Sequence, residues 1–214
     1  MRELLADYPK AAHVLVDIPI GLPWKECPVR PCDRLARQHL ERRASSVFPV
    51  PCRKASRAAD VYEARRENLE ELDRSLSAQA WGICRKIAEV DELLLSEPVA
   101  RRVIHEIHPE VCFWGLNERR AMQHPKRTAA GVLERVDVLA RYEPRTAALL
   151  AAALAEQRRR NLQADDLLDA LVGFVVARAS AGDIERLHGN PVCDERGLPM
   201  EMVYLTSDQR PSAF

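Results

Sequence analysis

Glycine is scarce in this chain, eight in 214 residues, and none of the eight opens a G-x-x-x-x-G-K run. Without that run there is no phosphate loop of the kind that nucleotide-dependent kinases and ATPases use. Cysteine is present at Cys27, Cys32, Cys52, Cys84, Cys112 and Cys193, but no two share the C-x-x-C spacing that wraps zinc. Free thiols in a reducing compartment are therefore the expectation. There is no excess of charge, because Lys plus Arg and Asp plus Glu each total 32. No global field holds such a chain on nucleic acid or on an anionic membrane, so any anion binding has to be local. Long apolar runs are missing as well. The longest, Ala147 to Ala155, is far short of the roughly 20 residues that span a bilayer. The opening MRELLADYPK has neither a signal layout nor a cleavage site. A cytoplasmic protein without a membrane partner is expected, and its length suits one domain with a continuous core.

What is present reads as α/β. Val14 to Ile20 is apolar and β-branched and is closed by Pro19, Gly21 and Pro23, which predicts a buried strand that gives way to a loop over Asp17 to Pro23. Helical patterns cover Pro31 to Arg43, Ala58 to Leu72 and Gln79 to Leu95, the last ended by Pro98. Val103 to His108 predicts a second short strand. Pro109 suits the first turn of a helix running through Leu116. Further helices are expected over Ala129 to Tyr142, Arg145 to Gln157 and Asp165 to Ala181, with a final strand near Met202 to Leu205.

Three places carry carboxylates or cations where chemistry is possible. Asp17 follows Val14, Leu15 and Val16, so a charge stands at the mouth of an apolar strand and needs a cation or a set of donors. A solvated loop acid or helix cap is the plainer alternative. In Asp165-Asp166-Leu167-Leu168-Asp169-Ala170-Leu171 the acids Asp166 and Asp169 are three apart and share a helix face. The helix dipole accounts for Asp165 or Asp166, and less well for Asp169, which a divalent ion would satisfy. The run from His105 to Glu110 is the third dense cluster. Glu106 reads as a metal or water ligand, whereas His108 is more simply a hydrogen-bonded structural histidine. Between Arg30 and Arg66 ten basic residues face four acidic ones, a composition that alone marks only a solvated surface. The stretch holding Arg43, Ser45 and Arg53 is more informative, since arginines and hydroxyls at a loop suit phosphate oxygens. Lys126, in Lys126-Arg127-Thr128, offers a further phosphate contact or an ordinary helix start.

In order along the chain, VDIPIGLP (Val16 to Pro23), R-x-C-D-x-x-A-R (Arg30 to Arg37), RASSVFPVPCR (Arg43 to Arg53), SAQAWGICRKIAEVD (Ser77 to Asp91), EIHPEVCF (Glu106 to Phe113), KRTAAG (Lys126 to Gly131) and DDLLDAL (Asp165 to Leu171) resemble the signature of a bacterial family of domains of unknown function, DUF429, regarded as ribonuclease-H-like nucleases. The resemblance spans nearly the whole chain. It implies a ribonuclease-H-like α/β fold in a single domain over residues 1–214, a helix-rich C-terminal half, and phosphodiester hydrolysis with Mg²⁺ or Mn²⁺. In that superfamily paired ions about 3.5–4 Å apart activate water and stabilise the leaving oxygen. Carried over by position, Asp17, Asp166 and Asp169 are the expected metal ligands, Glu106 joins them as a catalytic candidate, and Arg43, Ser45, Arg53 and Lys126 are the expected phosphate contacts. The family chain begins with three strands, the first bearing a catalytic Asp, whereas Met1 here falls in the helix that follows them. The expectation is therefore an incomplete sheet. Its strand 14–18 would have a free edge open to self-association, with nucleic acid or a small phosphoester as the other possible partner. A non-catalytic scaffold or nucleic-acid-interaction protein that keeps the fold is the alternative.

Overall fold

The computed structural model describes residues 5, 7–156, 163–178 and 184–208. Strand β1 (Val14–Val16) pairs in parallel with β2 (Ile104–Glu106), with Val14 opposite Ile104 and Val16 opposite Glu106. Between them run α1 (Pro31–Leu40), a 3₁₀ segment (Glu41–Ser46), α2 (Arg53–Ser56), α3 (Val61–Leu72), α4 (Ala78–Ser96) and α5 (Ala100–Val103). After β2 come α6 (Pro109–Leu116), α7 (Ala129–Ala140), α8 (Thr146–Glu156) and α9 (Ala164–Ala177). A two-stranded antiparallel ribbon, β3 (Glu185–Arg186) with β4 (Val203–Tyr204), follows.

β1 is apolar throughout because both of its faces are covered, as parallel strands require. Val14 and Val16 pack with Val90, Leu93 and Leu94 of α4, while Leu15 on the opposite face joins the larger core formed by α1, α6 and α9. At the centre of that core lies α6, all eight of whose residues are buried. Pro109 at its first turn costs no hydrogen bond there, because the first N–H groups of a helix have no partner within it.

The strand ends sooner than its apolar composition predicts. Beyond Val16, two side-chain carboxylates replace the ladder: Glu106 Oε2 accepts from Ile20 N at 2.6 Å, and Asp194 Oδ2 accepts from Leu22 N at 3.0 Å. The chain turns between them at Gly21, whose φ of +68° favours glycine and whose hydrogen faces the Pro199 backbone. The first predicted helix likewise stops at Leu40 and tightens into the 3₁₀ turn, with Glu41 at φ 47°. Asp60, not Ala58, starts α3, because its side chain accepts from Tyr62 N and Glu63 N. Gln157 and residues 179–181 of the predicted helices lie outside the described residues.

Val16 O accepts from Ile107 N, so in this parallel ladder the N–H and C=O of Leu15 face away from β2. Among the described residues no backbone group meets them. No helix among these residues is long and apolar enough to cross a membrane, and all six cysteines are unpaired.

Candidate functional site

Asp17, one residue past β1, and Asp169, a turn and a half into α9, line the same cavity of about 450 Å³. Leu15, Ile107, Gly173 and Phe174 supply its apolar wall. Asp17 opens onto this space, yet the protein packed around it raises its carboxyl above the ordinary range, against the pull of His108, Lys126 and Lys86. Asp169 is pushed up to about 6 by burial, opposed by its hydrogen bond from Lys126 and reinforced by the charge of Asp17. Its Oδ1 is buried with no donor. An acceptor left that way normally costs about 1–3 kcal/mol, so it is a place where a cation or donor is wanted.

Lys126 provides the central positive charge. Its ammonium lies 2.5 Å from Asp169 Oδ2 and 3.9 Å from Asp165 Oδ2. Burial lowers its pKa, but Asp169, Asp165 and Glu110 more than offset that and hold the pKa above its usual value. The turn carrying Lys126 is fixed from several sides. Thr128 N and Oγ1 both donate to Pro125 O, and Thr128 Oγ1 in turn caps α7 by accepting from Gly131 N. A Cβ on Gly131 would lie 2.0 Å from the Pro125 carbonyl oxygen, so only glycine lets the turn seat on the helix. Glu134 accepts from Gln123 N and His124 N, and the fully buried Arg135 donates to His124 O while pairing with Glu110.

His108 borders the other side of Asp17. Its Nε2 lies 3.3 Å from Ser46 O, which can only accept, so Nε2 is the donor of that contact, and Nδ1 is buried with no partner. That contact also brings the 3₁₀ segment, with Arg43 half-buried and Ser45 exposed, next to the site.

Three residues expected at the site are placed differently. Asp166 is exposed, and its Oδ2 accepts from Gln163 N at 3.0 Å, so it caps α9. Asp165, a turn before Asp169 on the same helix face, takes its place near Lys126. Glu106 is 3% exposed and accepts from Ile20 N and from Arg30 Nη2 at 2.5 Å. Burial pushes its carboxyl up against the pull of Arg30, and this pair ties β2 to the start of α1. Arg53 is engaged by carboxylates, with Asp91 and Asp194 holding its guanidinium at 3.0 and 2.5 Å and Glu195 at 3.0 Å. Conversely, Lys86, Glu110, Asp165 and Arg135 belong to the site or its supports. Glu110 stood in the dense His105 to Glu110 run and Asp165 in the acid run at the start of α9; nothing local distinguished Lys86 or Arg135.

A family model described as "Protein of unknown function (DUF429)" matches residues 1–192. The chain belongs to this family. No curated protein and no solved structure matches it. The DUF429 match takes in every residue of the cluster from Asp17 to Asp169.

Whether the cluster suits a metal can be judged from its donors. Among the described residues no three His, Cys, Asp or Glu side chains gather as a metal cluster. Asp17 and Asp169 alone suit one hydrated ion, since Mg²⁺ keeps several waters and takes one or two carboxylates. A pair of ions has too few donors here.

Proposed function

We propose that this protein is a phosphodiester hydrolase that uses one divalent ion, Mg²⁺ or Mn²⁺, held by Asp17 and Asp169. The observation that carries the reading is the convergence of these two acids, from elements about 150 residues apart in sequence, on one open cavity with Lys126, Lys86 and His108 around them. Such an ion supplies Lewis-acid polarisation of a phosphoryl oxygen and makes water more acidic. Lys126 and Lys86 attract the phosphate. His108 adds to the electrostatic environment of Asp17, and Arg43 and Ser45 extend the polar surface towards the rest of a nucleic-acid or small phosphoester ligand. A ribonuclease-H-like arrangement of the α/β fold goes with this reading.

Titration with Mn²⁺ followed by electron paramagnetic resonance, together with hydrolysis of bis(p-nitrophenyl) phosphate, tests it. Wild type binds one ion, and Asp17→Asn or Asp169→Asn abolishes both binding and hydrolysis, whereas Asp166→Asn leaves both in place. A wild-type protein that neither binds Mn²⁺ nor cleaves the diester, while still retaining oligonucleotides, would point instead to a non-catalytic nucleic-acid-interaction protein. That second reading draws on the salt bridge by which Lys126 already neutralises Asp169.

A further inference from the structure

Lys126 stands where the proposed ion has to go. Its ammonium touches Asp169 at 2.5 Å and acts electrostatically on Asp17, the two acids assigned to that ion. Two positive charges repel when they share one carboxylate, so Lys126 and the ion compete for Asp169.

The surroundings allow the ammonium to leave while the backbone stays put. The turn from Pro125 to Thr128 is pinned by the Thr128 bonds, by the seat on Gly131 and by Arg135. The Lys126 side chain, 35% exposed, is a flexible four-carbon stem ending in a point charge, so rotations about its own bonds are enough to move it. Asp165 does not lose all compensation when it goes, because Arg127 Nε already lies 3.3 Å from its Oδ2. Asp169 does. Its Oδ2 gives up Lys126 and its buried Oδ1 has no donor, which leaves the carboxylate without a counter-charge until the ion arrives.

We infer that Lys126 is an internal counter-ion that closes the Asp17–Asp169 position to divalent cations until an anionic phosphodiester draws its ammonium away, so that cation and phosphate bind with positive coupling. This rests on the metal reading of the site given above. The coupling is reciprocal by linkage: the phosphodiester raises affinity for the ion, and the ion raises affinity for the phosphodiester by the same factor. It also guards the site, since an ion does not load fully before substrate arrives.

The test is Mn²⁺ binding, measured as free Mn²⁺ by electron paramagnetic resonance, for wild type, Lys126→Met and Lys126→Arg, each with and without saturating dimethyl phosphate. Lys126→Met alone binds Mn²⁺ roughly tenfold more tightly than wild type alone, within the ordinary range of couplings between sites. Dimethyl phosphate tightens Mn²⁺ binding by wild type by a similar factor and leaves Lys126→Met unchanged. Lys126→Arg, which keeps the charge, restores weak binding in the absence of phosphate. Lys126→Ala, checked for an unchanged melting temperature, guards against a packing effect of methionine. Equal Mn²⁺ affinity in wild type and Lys126→Met, with Asp169→Asn abolishing binding, overturns the counter-ion role and leaves the metal site standing. Absence of Mn²⁺ binding in every variant overturns both.

Discussion

Arg53 and Lys126 are both basic side chains set among carboxylates, yet they end in opposite states. Arg53 is 11% exposed and its planar fork meets Asp91, Asp194 and Glu195, while Arg57 supplies Asp91 with a second cation. Asp194 is further satisfied by Leu22 N, Arg196 N and Leu198 N. Every strong group there has its partners, so the cluster acts as a clamp between the loop after β1, α4 and the segment before β4. Lys126 is a partly exposed point charge, and its partner Asp169 lines an open cavity and keeps one oxygen without a donor. The difference teaches that residue type does not separate a closed ion-pair cluster from an open one in this protein. Access to solvent does, since Asp91 and Asp194 are buried whereas Asp17 and Asp169 line a cavity.

The sharpest way to break the comparison is to remove each cation. Arg53→Met strands the buried Asp91 and Asp194 and is expected to lower stability by about 3–5 kcal/mol, the usual consequence of breaking a buried ion pair from one side. Lys126→Met, at a more exposed pair, is expected to cost less than about 1 kcal/mol. Urea unfolding measures both, and equal losses would erase the distinction. Gly131→Ala comes next. Its new methyl collides with Pro125 O, and overpacking of this kind costs roughly 1–3 kcal/mol. Because the turn has to lift, the variant is also expected to weaken the Lys126–Asp169 contact, seen as a shift of the Lys126 Nζ resonance. Asp166→Ala removes a cap and is expected to cost about 1 kcal/mol with no change in Mn²⁺ affinity. A loss of Mn²⁺ binding in this variant would move Asp166 from cap to ligand.

A smaller effect is expected from pH. The Asp169 carboxyl titrates near 6 in the folded protein against an ordinary value of 3.8, so the native state holds its proton over that interval and the unfolded chain does not. Its contribution therefore favours folding below about pH 4 and is lost as pH rises towards about 6. Asp169→Asn is expected to flatten this part of the stability profile, and an unchanged slope would place the titration elsewhere. The least change concerns β1. Hydrogen exchange at Leu15, whose N–H faces the free edge, is expected to be faster than at Val16, whose N–H bonds to β2. Equal protection that appears only at high protein concentration would mean that a second copy pairs with this edge.

Much of the fold was legible because its signals are local. Apolar β-branched runs marked β1 and β2, Pro109 and Thr128 marked helix starts, and the acids at the mouth of α9 drew attention to Asp169. The site was legible only in part. Glu106 and Arg53 had the right chemistry for it, but their opposite charges come from Arg30, 76 residues away, and from Asp194, 141 residues away. Asp165 was passed over for Asp166 because helical spacing allows either acid to accompany Asp169.

By itself, then, the sequence determined an α/β chain of the DUF429 family with short strands near Val14 and Ile104 and acids at the start of α9, since periodicity, capping and turn chemistry act over a few residues. Tertiary structure decided which carboxylates are saturated and which are left wanting a cation. That depends on partners brought together from distant parts of the chain and on how much water remains around them, and neither quantity is written in any local stretch of residues.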